Sequence, residues 1–426
     1  MAAPSAPTER WKPPLPPALV ERTKQAGKAL GMPLGSVVLS FLVGAVIVLV
    51  TGGNPITAYQ GLLCGGVGVL CSGSTYSSYT GAYQISEMLV FLCPLVLTGL
   101  SVAIAFRAGL FNIGAEGQLI VGAIATTFVG VHLQQLPSEI LLPLVLIAGA
   151  LAGAVWGGIV GVLKALTGAH EVVTTIMLNY IALFFLTYLI VGGPMQEKGI
   201  SSSSDAISAK ARLPKLVPAH HLFFGEPGGI YRVHAGIFVA LAAAVVFAFI
   251  MKRTSLGYEI RAVGQSQRGA RYAGISVNRT IIKTMLIAGA FGGLAGAIQI
   301  AGVRYQLTDI YTPDTTGFDA IAVSLLGQNS GIGVVLSGIL FAGLDVGRNV
   351  MQSGANVSKN LADILQALIL FSIAANFLRS LKLRLPSLRN VRGSQSQVEP
   401  GVAAVATDIA PGATVDASAS GGSPGE

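Results

Sequence analysis

Residues Lys252–Lys283 read KRTSLGYEIRAVGQSQRGARYAGISVNRTIIK and form a strongly basic loop between two long apolar stretches. The loop carries seven Lys or Arg residues and a single acid. Within it, Ser266 can cap a short helix that runs through Tyr272 and Ala273, and Gly274 can end that helix. A short capped helix in a basic loop can be displaced by a soluble partner. We therefore expect this loop to be the contact point for one.

The composition of the whole chain explains the apolar stretches on either side. Of 426 residues, 52% are hydrophobic and 11% are charged, and the mean hydropathy is +0.68. Soluble domains carry about 25% charged residues, so this chain cannot present a wettable surface on all sides. We predict an all-α polytopic membrane protein, because a lipid-spanning helix bonds every backbone group internally. The net charge of +8 does not indicate nucleic-acid binding, since the basic residues cluster in loops and at span ends.

Hydropathy predicts about ten transmembrane helices of roughly 20 residues each. The predicted spans are 34–53, 87–106, 117–133, 141–163, 171–192, 235–251, 283–303, 315–328, 331–348 and 361–378. The loop Thr51–Ser86 has no charged residue, whereas Pro194–His234 is an exception with five basic and three acidic residues. The positive-inside rule then places both termini in the cytoplasm.

This count divides the chain into three regions. We predict a cytoplasmic N-terminal tail at 1–33, a transmembrane domain at 34–379 that contains the basic loop 252–283, and a cytoplasmic C-terminal tail at 380–426. From Gly393 onward this tail consists mainly of Ala, Gly, Ser, Pro and Val with scattered acids. Because it lacks a periodic apolar face, we expect it to be disordered.

Ten spans divide into a possible 5+5 arrangement, in which an odd number per half inverts the topology of the second half. The short spans 117–133 and 315–328, both interrupted by glycine, are then third in their halves. Matching short spans of this kind point to a substrate site near the middle of the membrane. The similarity between the halves is too faint to establish a repeat, so their relation stays open.

Glycines at four-residue spacing mark two of the predicted spans. They are Gly149, Gly153, Gly157 and Gly161 in the fourth span, and Gly289 and Gly293 in the seventh. Small residues four apart share a helix face and let another backbone approach closely. We expect close packing inside one bundle, with a subunit interface as the alternative.

The chain contains no constellation typical of an enzyme. The full sequence has no H-E-x-x-H motif, no cysteine pair with zinc spacing, no nucleophilic serine elbow and no G-x-x-x-x-G-K-[ST] loop. If ATP drives this protein, the ATPase is a different polypeptide. Cys64 and Cys71 lie in the uncharged loop and can pair in an oxidising compartment, but we expect them to be unpaired small residues.

One candidate site lies in FRAGLFNIGAEGQLIVGA, Phe106–Ala123. Its glycines permit a break after the second span, and Glu116 then lies near the start of a helix, where the macrodipole favours a negative charge. Asn112 and Glu116 are candidates for the mouth of a solute path or for a hinge. The alternative is a turn between two helices with a well-placed acid.

Other polar residues occur inside apolar spans. Thr175 and Asn179 are four residues apart, so they share a helix face and can line an interior together with Tyr180. Asp319 lies in the eighth span, where a carboxylate is expected to face the bundle interior or water. Each of these residues is a candidate for the solute path, and hydrogen bonding between helices is the alternative.

Four motifs carry a family resemblance. They are AFRAGLFNIGAEGQ (Ala105–Gln118), EVVTTIMLNYIA (Glu171–Ala182), LGYEIRAVGQSQRGARYAGI (Leu256–Ile275) and GFDAIAVSLLG (Gly317–Gly327). Together they resemble permease subunits of bacterial ATP-binding-cassette (ABC) importers for branched-chain amino acids, ribose-type sugars and nucleosides, and look most like nucleoside permeases. The resemblance runs from about 37 to 379. The chain departs from the family in a Cys-containing insertion around 65–81.

The resemblance implies a permease of the bacterial plasma (inner) membrane that translocates nucleosides, with ribose-type sugars or branched-chain amino acids as alternatives. It implies three partners: a second permease subunit in a heterodimer, an ABC ATPase subunit, and an extracytoplasmic solute-binding lipoprotein. The ATPase would bind the ATP, so no cofactor is expected in this chain. The residues that match the ATPase-coupling loop of the family are Gly264, Gln265, Arg268, Ala270, Arg271, Gly274 and Ile275.

Two other classes of transport protein compete with this interpretation. One is a secondary carrier driven by protons or sodium, with Glu116 or Asp319 as the titrating group. The other is a passive channel. For the loop itself, the alternative is that its basic residues only orient the chain in the membrane.

Overall fold

The structure is a computed structural model that describes residues 35–371, apart from residues 36, 69–70, 72–80, 200–201, 218–221, 224–225, 228–230, 309–315, 356, 359 and 369–370. Nearly all regular structure in these ranges is helical. The helices are α1 (Val37–Val50), α2 (Pro55–Val67), α3 (Gly81–Arg107), α4 (Ala115–His132), α5 (Ser138–Thr167), α6 (Glu171–Ile190), α7 (Gly236–Arg253), α8 (Ser255–Gln265), α9 (Gln267–Tyr272), α10 (Val277–Gln299), α11 (Thr316–Leu326), α12 (Gly331–Ala355) and α13 (360–368).

Six of these helices are long and apolar enough to cross a membrane, namely α3, α5, α6, α7, α12 and α10 with the π-helical turn Ile300–Arg304 that follows it. The helices α1 and α11 are apolar but shorter. The described part of the chain thus confirms a helical multi-pass architecture. The count of ten and the five-plus-five arrangement stay predictions. The last predicted span, 361–378, is described only at its beginning.

Helix α2 was not predicted, because its residues were assigned to a loop. Asn54 caps it by accepting a hydrogen bond of 2.9 Å from the N–H of Ile56, and Pro55 occupies its first position. With 13 residues the helix is about 20 Å long, too short to cross a hydrocarbon core of about 30 Å. It packs against α12, where a Cβ on Gly65 would lie 2.7 Å from the Cα of Gly347.

Cys64 and Cys71 form a disulfide, so the expectation of unpaired thiols was wrong. The physical reason is the unpredicted end of α2. Gly68 caps α2 in the left-handed conformation, with φ of +69°, and turns the chain back on itself. This turn brings the two cysteine Cα atoms to 4.7 Å, within the range that a disulfide requires.

The glycine spacing predicted close helix packing inside the bundle, and α5 and α10 show it. A Cβ on Gly153 would lie 2.5 Å from the Cα of Gly293, and one on Gly157 would lie 3.0 Å from the Cα of Gly289. The two backbones are therefore in direct contact along the predicted faces.

A long connection, residues 191–235, joins α6 to α7, and the end of the bundle that its described residues contact is called the loop side. Its backbone bonds to the end of α10: Ile207 N–H donates to the carbonyl of Tyr305 at 2.8 Å, and Leu213 N–H to that of Ala301 at 2.8 Å. The guanidinium of Arg212 lies 4.4 Å from the ring centroid of Tyr305. The π-helical turn is thus held by the loop that crosses it.

Candidate functional site

The start of α4 is surrounded by a buried polar cluster. The Nδ2 of Asn112 lies 3.0 Å from the Oγ of Ser101 and 3.2 Å from the Oε1 of Gln118, and its Oδ1 accepts from the N–H of Gly114 at 3.1 Å. All three side chains are at most 1% exposed. Because Asn112 is bonded at both ends of its amide, it fixes the turn between α3 and α4.

Asn179 clamps the same helix start from α6. Its Oδ1 accepts from the N–H of Gly117 at 2.9 Å, and its Nδ2 donates to the carbonyl of Ile113 at 3.0 Å. Thr175, one turn earlier and fully buried, donates to the carbonyl of Glu171 at 2.7 Å. Both side chains share the buried face of α6, as their spacing predicts. The side chain of Tyr180 is 55% exposed and lies apart from them.

Glu116 connects α4 to α11. Its Oε2 accepts from the N–H of Gly317 at 2.7 Å, and the side chain is 8% exposed. The carboxylate therefore lies at the amino-terminal ends of two helices, where both dipoles favour its charge. Asp319, in the first turn of α11, is half-buried.

The basic loop contains the predicted capped helix, α9. Ser266 Oγ accepts from the N–H of Gly269 at 3.1 Å, and Gly274 follows the helix with φ of +77°. Ala270 is buried, whereas Arg268 and Arg271 are exposed. The N–H of Ile275 donates to the carbonyl of Ala270 at 2.9 Å, and Gln265 ends the preceding helix α8, which was not predicted.

The end of α8 packs against the end of α3. A Cβ on Gly264 would lie 3.0 Å from the carbonyl carbon of Ala108, so a side chain does not fit there. In the same place Arg107 donates to the carbonyl of Asn329 at 2.9 Å and to that of Gln328 at 3.2 Å. A displacement of α8 and α9 would therefore disturb the contacts of α3 and of the turn between α11 and α12.

Sequence reasoning missed a charged group on the loop side. Arg232 forms an ion pair with Glu87 of α3, with Nε 2.8 Å from Oε1, and this pairing raises the pKa of the guanidinium further. Burial, and secondarily the charge of Arg232, lowers the pKa of His234 to about 4. The available signal was Glu87 itself, an acid in the second turn of an apolar span.

Two cavities adjoin this group. One of about 290 Å³ is lined by Phe91, Arg232 and His234 among others. A second of about 280 Å³ is lined by Glu87, Phe91 and Arg232 among others. Within the described ranges, no group of three His, Cys, Asp or Glu residues is placed to hold a metal ion.

The comparisons with known proteins agree with this architecture. The profile described as "Branched-chain amino acid transport system / permease component" matches residues 84–374. The guanosine ABC transporter permease protein NupP of Bacillus subtilis is 40% identical over an aligned region that covers 81% of this chain and 93% of the length of NupP. The nucleoside permease NupB of Lactococcus lactis is 35% identical over 87% of this chain and 97% of its own.

A relative with a different named solute is similar to the same extent. The glucose ABC transporter permease protein TsgB13 of Haloferax volcanii is 38% identical over 84% of this chain and 90% of its own. No solved structure matches the chain. Given the family match and these relatives, the chain belongs to the permease components of the branched-chain amino acid transport system family, the membrane subunits of ABC importers.

Proposed function

We propose that this chain is the permease subunit of an ATP-driven importer that moves nucleosides across a bacterial plasma membrane. The observation that carries the proposal is its similarity to two nucleoside permeases along almost their whole lengths. A permease of this kind provides a path with alternating access, and the energy comes from another subunit.

Sugar import is the second candidate, because the glucose permease is similar to nearly the same degree. The test is uptake of labelled guanosine, uridine, ribose and glucose by cells with and without this subunit. We expect guanosine and uridine uptake to depend on the subunit. Loss of glucose uptake alone on deletion would replace nucleosides by sugars as the solute.

We propose ten spans in two inverted halves, with both termini and α9 in the cytoplasm and the loop side outside. We further propose that residues 1–33 and 380–426 are cytoplasmic tails. The disulfide between Cys64 and Cys71 supports this orientation, since such bonds persist in oxidising compartments. A membrane-impermeant thiol reagent should label Ser138→Cys in intact spheroplasts and Tyr272→Cys only after permeabilisation. The reverse pattern would invert the topology.

The partners we propose are an ABC ATPase on α9, a second permease subunit in a heterodimer, and an extracytoplasmic binding lipoprotein on the loop side. ATP would be bound by the ATPase alone. The exposed side chains of Arg268, Arg271 and Tyr272, the last 95% exposed, support a docking role for α9.

Charge reversal separates docking from membrane orientation. Arg268→Glu with Arg271→Glu should abolish uptake and loosen the ATPase during purification. Lys252→Glu is the matched control, because Lys252 is an exposed cation of the same loop outside α9. If the loop only orients the chain, Lys252→Glu would impair uptake as much as Arg268→Glu alone.

We propose two different roles for the six candidate path residues. Asn112, Glu116, Thr175 and Asn179 form the hinge at which α4 starts. In support, Asn112 and Asn179 accept from the backbone N–H groups of Gly114 and Gly117, Glu116 accepts from Gly317 of α11, and Thr175 lies beside Gly114. Tyr180 and Asp319 are the less buried members and are proposed to contact the path directly.

A protonophore should leave ATP-driven uptake intact in energy-clamped vesicles. Uptake by a proton-driven carrier that uses Glu116 would instead stop.

A further inference from the structure

The two cavities on the loop side share part of their walls, and we call them together the cleft. The first lies between α3, residues 232–234 and the π-helical turn after α10. The second lies between α3 and α12. Phe91 and Arg232 line both cavities, and Glu87, the ion-pair partner of Arg232, lines the second. A solute in this cleft would therefore contact Phe91 from either side.

His234 in the wall of the cleft holds an unused hydrogen-bond donor. Its Nδ1 accepts from the N–H of Gly236 at 3.1 Å, so the neutral ring carries its proton on Nε2. The side chain is 1% exposed, and Nε2 has no partner among the described residues. An unsatisfied buried donor is unfavourable, and an acceptor supplied by a ligand would remove that penalty.

The backbone beside His234 is also unusual. Gly302 belongs to the π-helical turn, and a Cβ there would lie 2.6 Å from Nε2 of His234. Only glycine fits against the imidazole ring at this point. Helical turns of the π type are rare, and many of them occur at functional sites.

The remaining walls favour an uncharged solute with a flat ring. Phe91 is 37% exposed and offers an aromatic face for stacking. Asn349 brings an amide to the second cavity. Arg232 is paired with Glu87, and Arg304 is engaged in an interaction of its own, so no free guanidinium is available for a phosphate.

We propose that this cleft binds the transported solute as an uncharged nucleoside, with its base on Phe91 and an acceptor atom facing the Nε2–H of His234. The inference rests on the proposed function and names the contacts that function requires. Nucleoside 5′-phosphates are excluded, because their charge finds no free cation in the described wall of the cleft.

Two substitutions of His234 separate its two hydrogen bonds. Asparagine keeps an acceptor near Nδ1 for the N–H of Gly236 and lacks the Nε2 donor, whereas glutamine places an N–H near Nε2. In the complete transporter, we expect His234→Asn to raise the KM for guanosine uptake roughly tenfold, the effect of losing one buried hydrogen bond. His234→Gln should stay close to the wild type.

Phe91 has its own test and control. Phe91→Ala should raise the same KM, while Phe249→Ala on the exposed face of α7 should not. Phe91→Trp supplies a readout without transport, since guanosine, and not guanosine monophosphate, should quench its fluorescence. Phe249→Trp should not respond.

The results separate this inference from the function on which it rests. Guanosine uptake by the wild type with unchanged KM in His234→Asn and Phe91→Ala would overturn the cleft alone. A wild-type complex that takes up no nucleoside would overturn the proposed function as well. Quenching of Phe91→Trp by guanosine monophosphate as strong as by guanosine would also overturn the assignment of an uncharged ligand.

Discussion

Glu116 accepts a hydrogen bond of 2.7 Å from the backbone N–H of Gly317 and so joins the first turns of α4 and α11. A Cβ on Gly317 would lie 2.5 Å from the nitrogen of Glu116 and 2.7 Å from its Cα, so the backbones themselves are in contact. These are the two short helices that stand third in the proposed halves. The contact between α4 and α11 is thus built from one carboxylate and one glycine.

Substitutions of Glu116 test whether this carboxylate is structural. Glu116→Ala leaves the N–H of Gly317 buried without an acceptor, which costs about 1–3 kcal/mol. Glu116→Gln keeps an oxygen acceptor and should cost less. Thermal denaturation of the purified protein in detergent measures both. If Glu116 instead titrates during transport, glutamine would abolish uptake while leaving the melting temperature unchanged.

Substitution of Asn179 should lower the melting temperature more than substitution of its neighbour Tyr180. Asn179→Ala removes two hydrogen bonds and leaves the N–H of Gly117 and the carbonyl of Ile113 without their partner, so we expect a loss of about 2 kcal/mol or more. Asn179→Asp keeps the acceptor, so its loss of stability should lie between those of the wild type and Asn179→Ala. Tyr180→Leu, on the exposed face, should leave the melting temperature unchanged. Equal losses at 179 and 180 would contradict the clamp.

The contact between α5 and α10 should reverse the usual effect of a Gly→Ala substitution on helix stability. In an exposed helix, Gly→Ala stabilises by roughly 0.5–1 kcal/mol. Gly153→Ala should instead destabilise the protein, because the new methyl group would meet the Cα of Gly293. Val155→Ala, at a position 64% exposed on the same helix, is the control. A Gly153→Ala protein that melts higher than the wild type would show that the helices are further apart.

Local patterns in the sequence anticipated some features and not others. Hydropathy predicted the long helices, and the cap at Ser266 predicted α9, because both signals lie within a few neighbouring residues. The sequence also contained the cap of α2, Asn54 followed by proline, but the short apolar segment had no charged flank to mark it as a helix. The cysteine pairing was missed with it.

The group around Arg232 could not be found by such patterns. Arg232 and Glu87 are 145 residues apart, and only the packing of residues 232–234 on α3 brings them together. The same limit applies to Glu116 and Gly317, which are 201 residues apart. Burial of Thr175 and Asn179 was accessible because helical spacing places them on one face.

His234 should make the folded protein sensitive to acid. Its folded pKa of about 4 lies below the value of about 6.5 in an unfolded chain. The unfolded state therefore binds the proton first as the pH falls. The stability associated with the neutral ring is complete above about pH 6.5 and is lost between there and pH 4, up to about 3 kcal/mol in total.

Melting temperatures at pH 7.5, 6 and 5 measure this loss, and His234→Gln should flatten the part of the profile that the imidazole causes. The charged groups nearest to the ring are Arg232, paired with Glu87, and Arg304 of the cavity wall. Neither arginine titrates in this range, and Glu87 is present in both proteins. Identical pH profiles for wild type and His234→Gln would therefore contradict a buried, neutral His234, because no other change distinguishes the two proteins between pH 7.5 and 5.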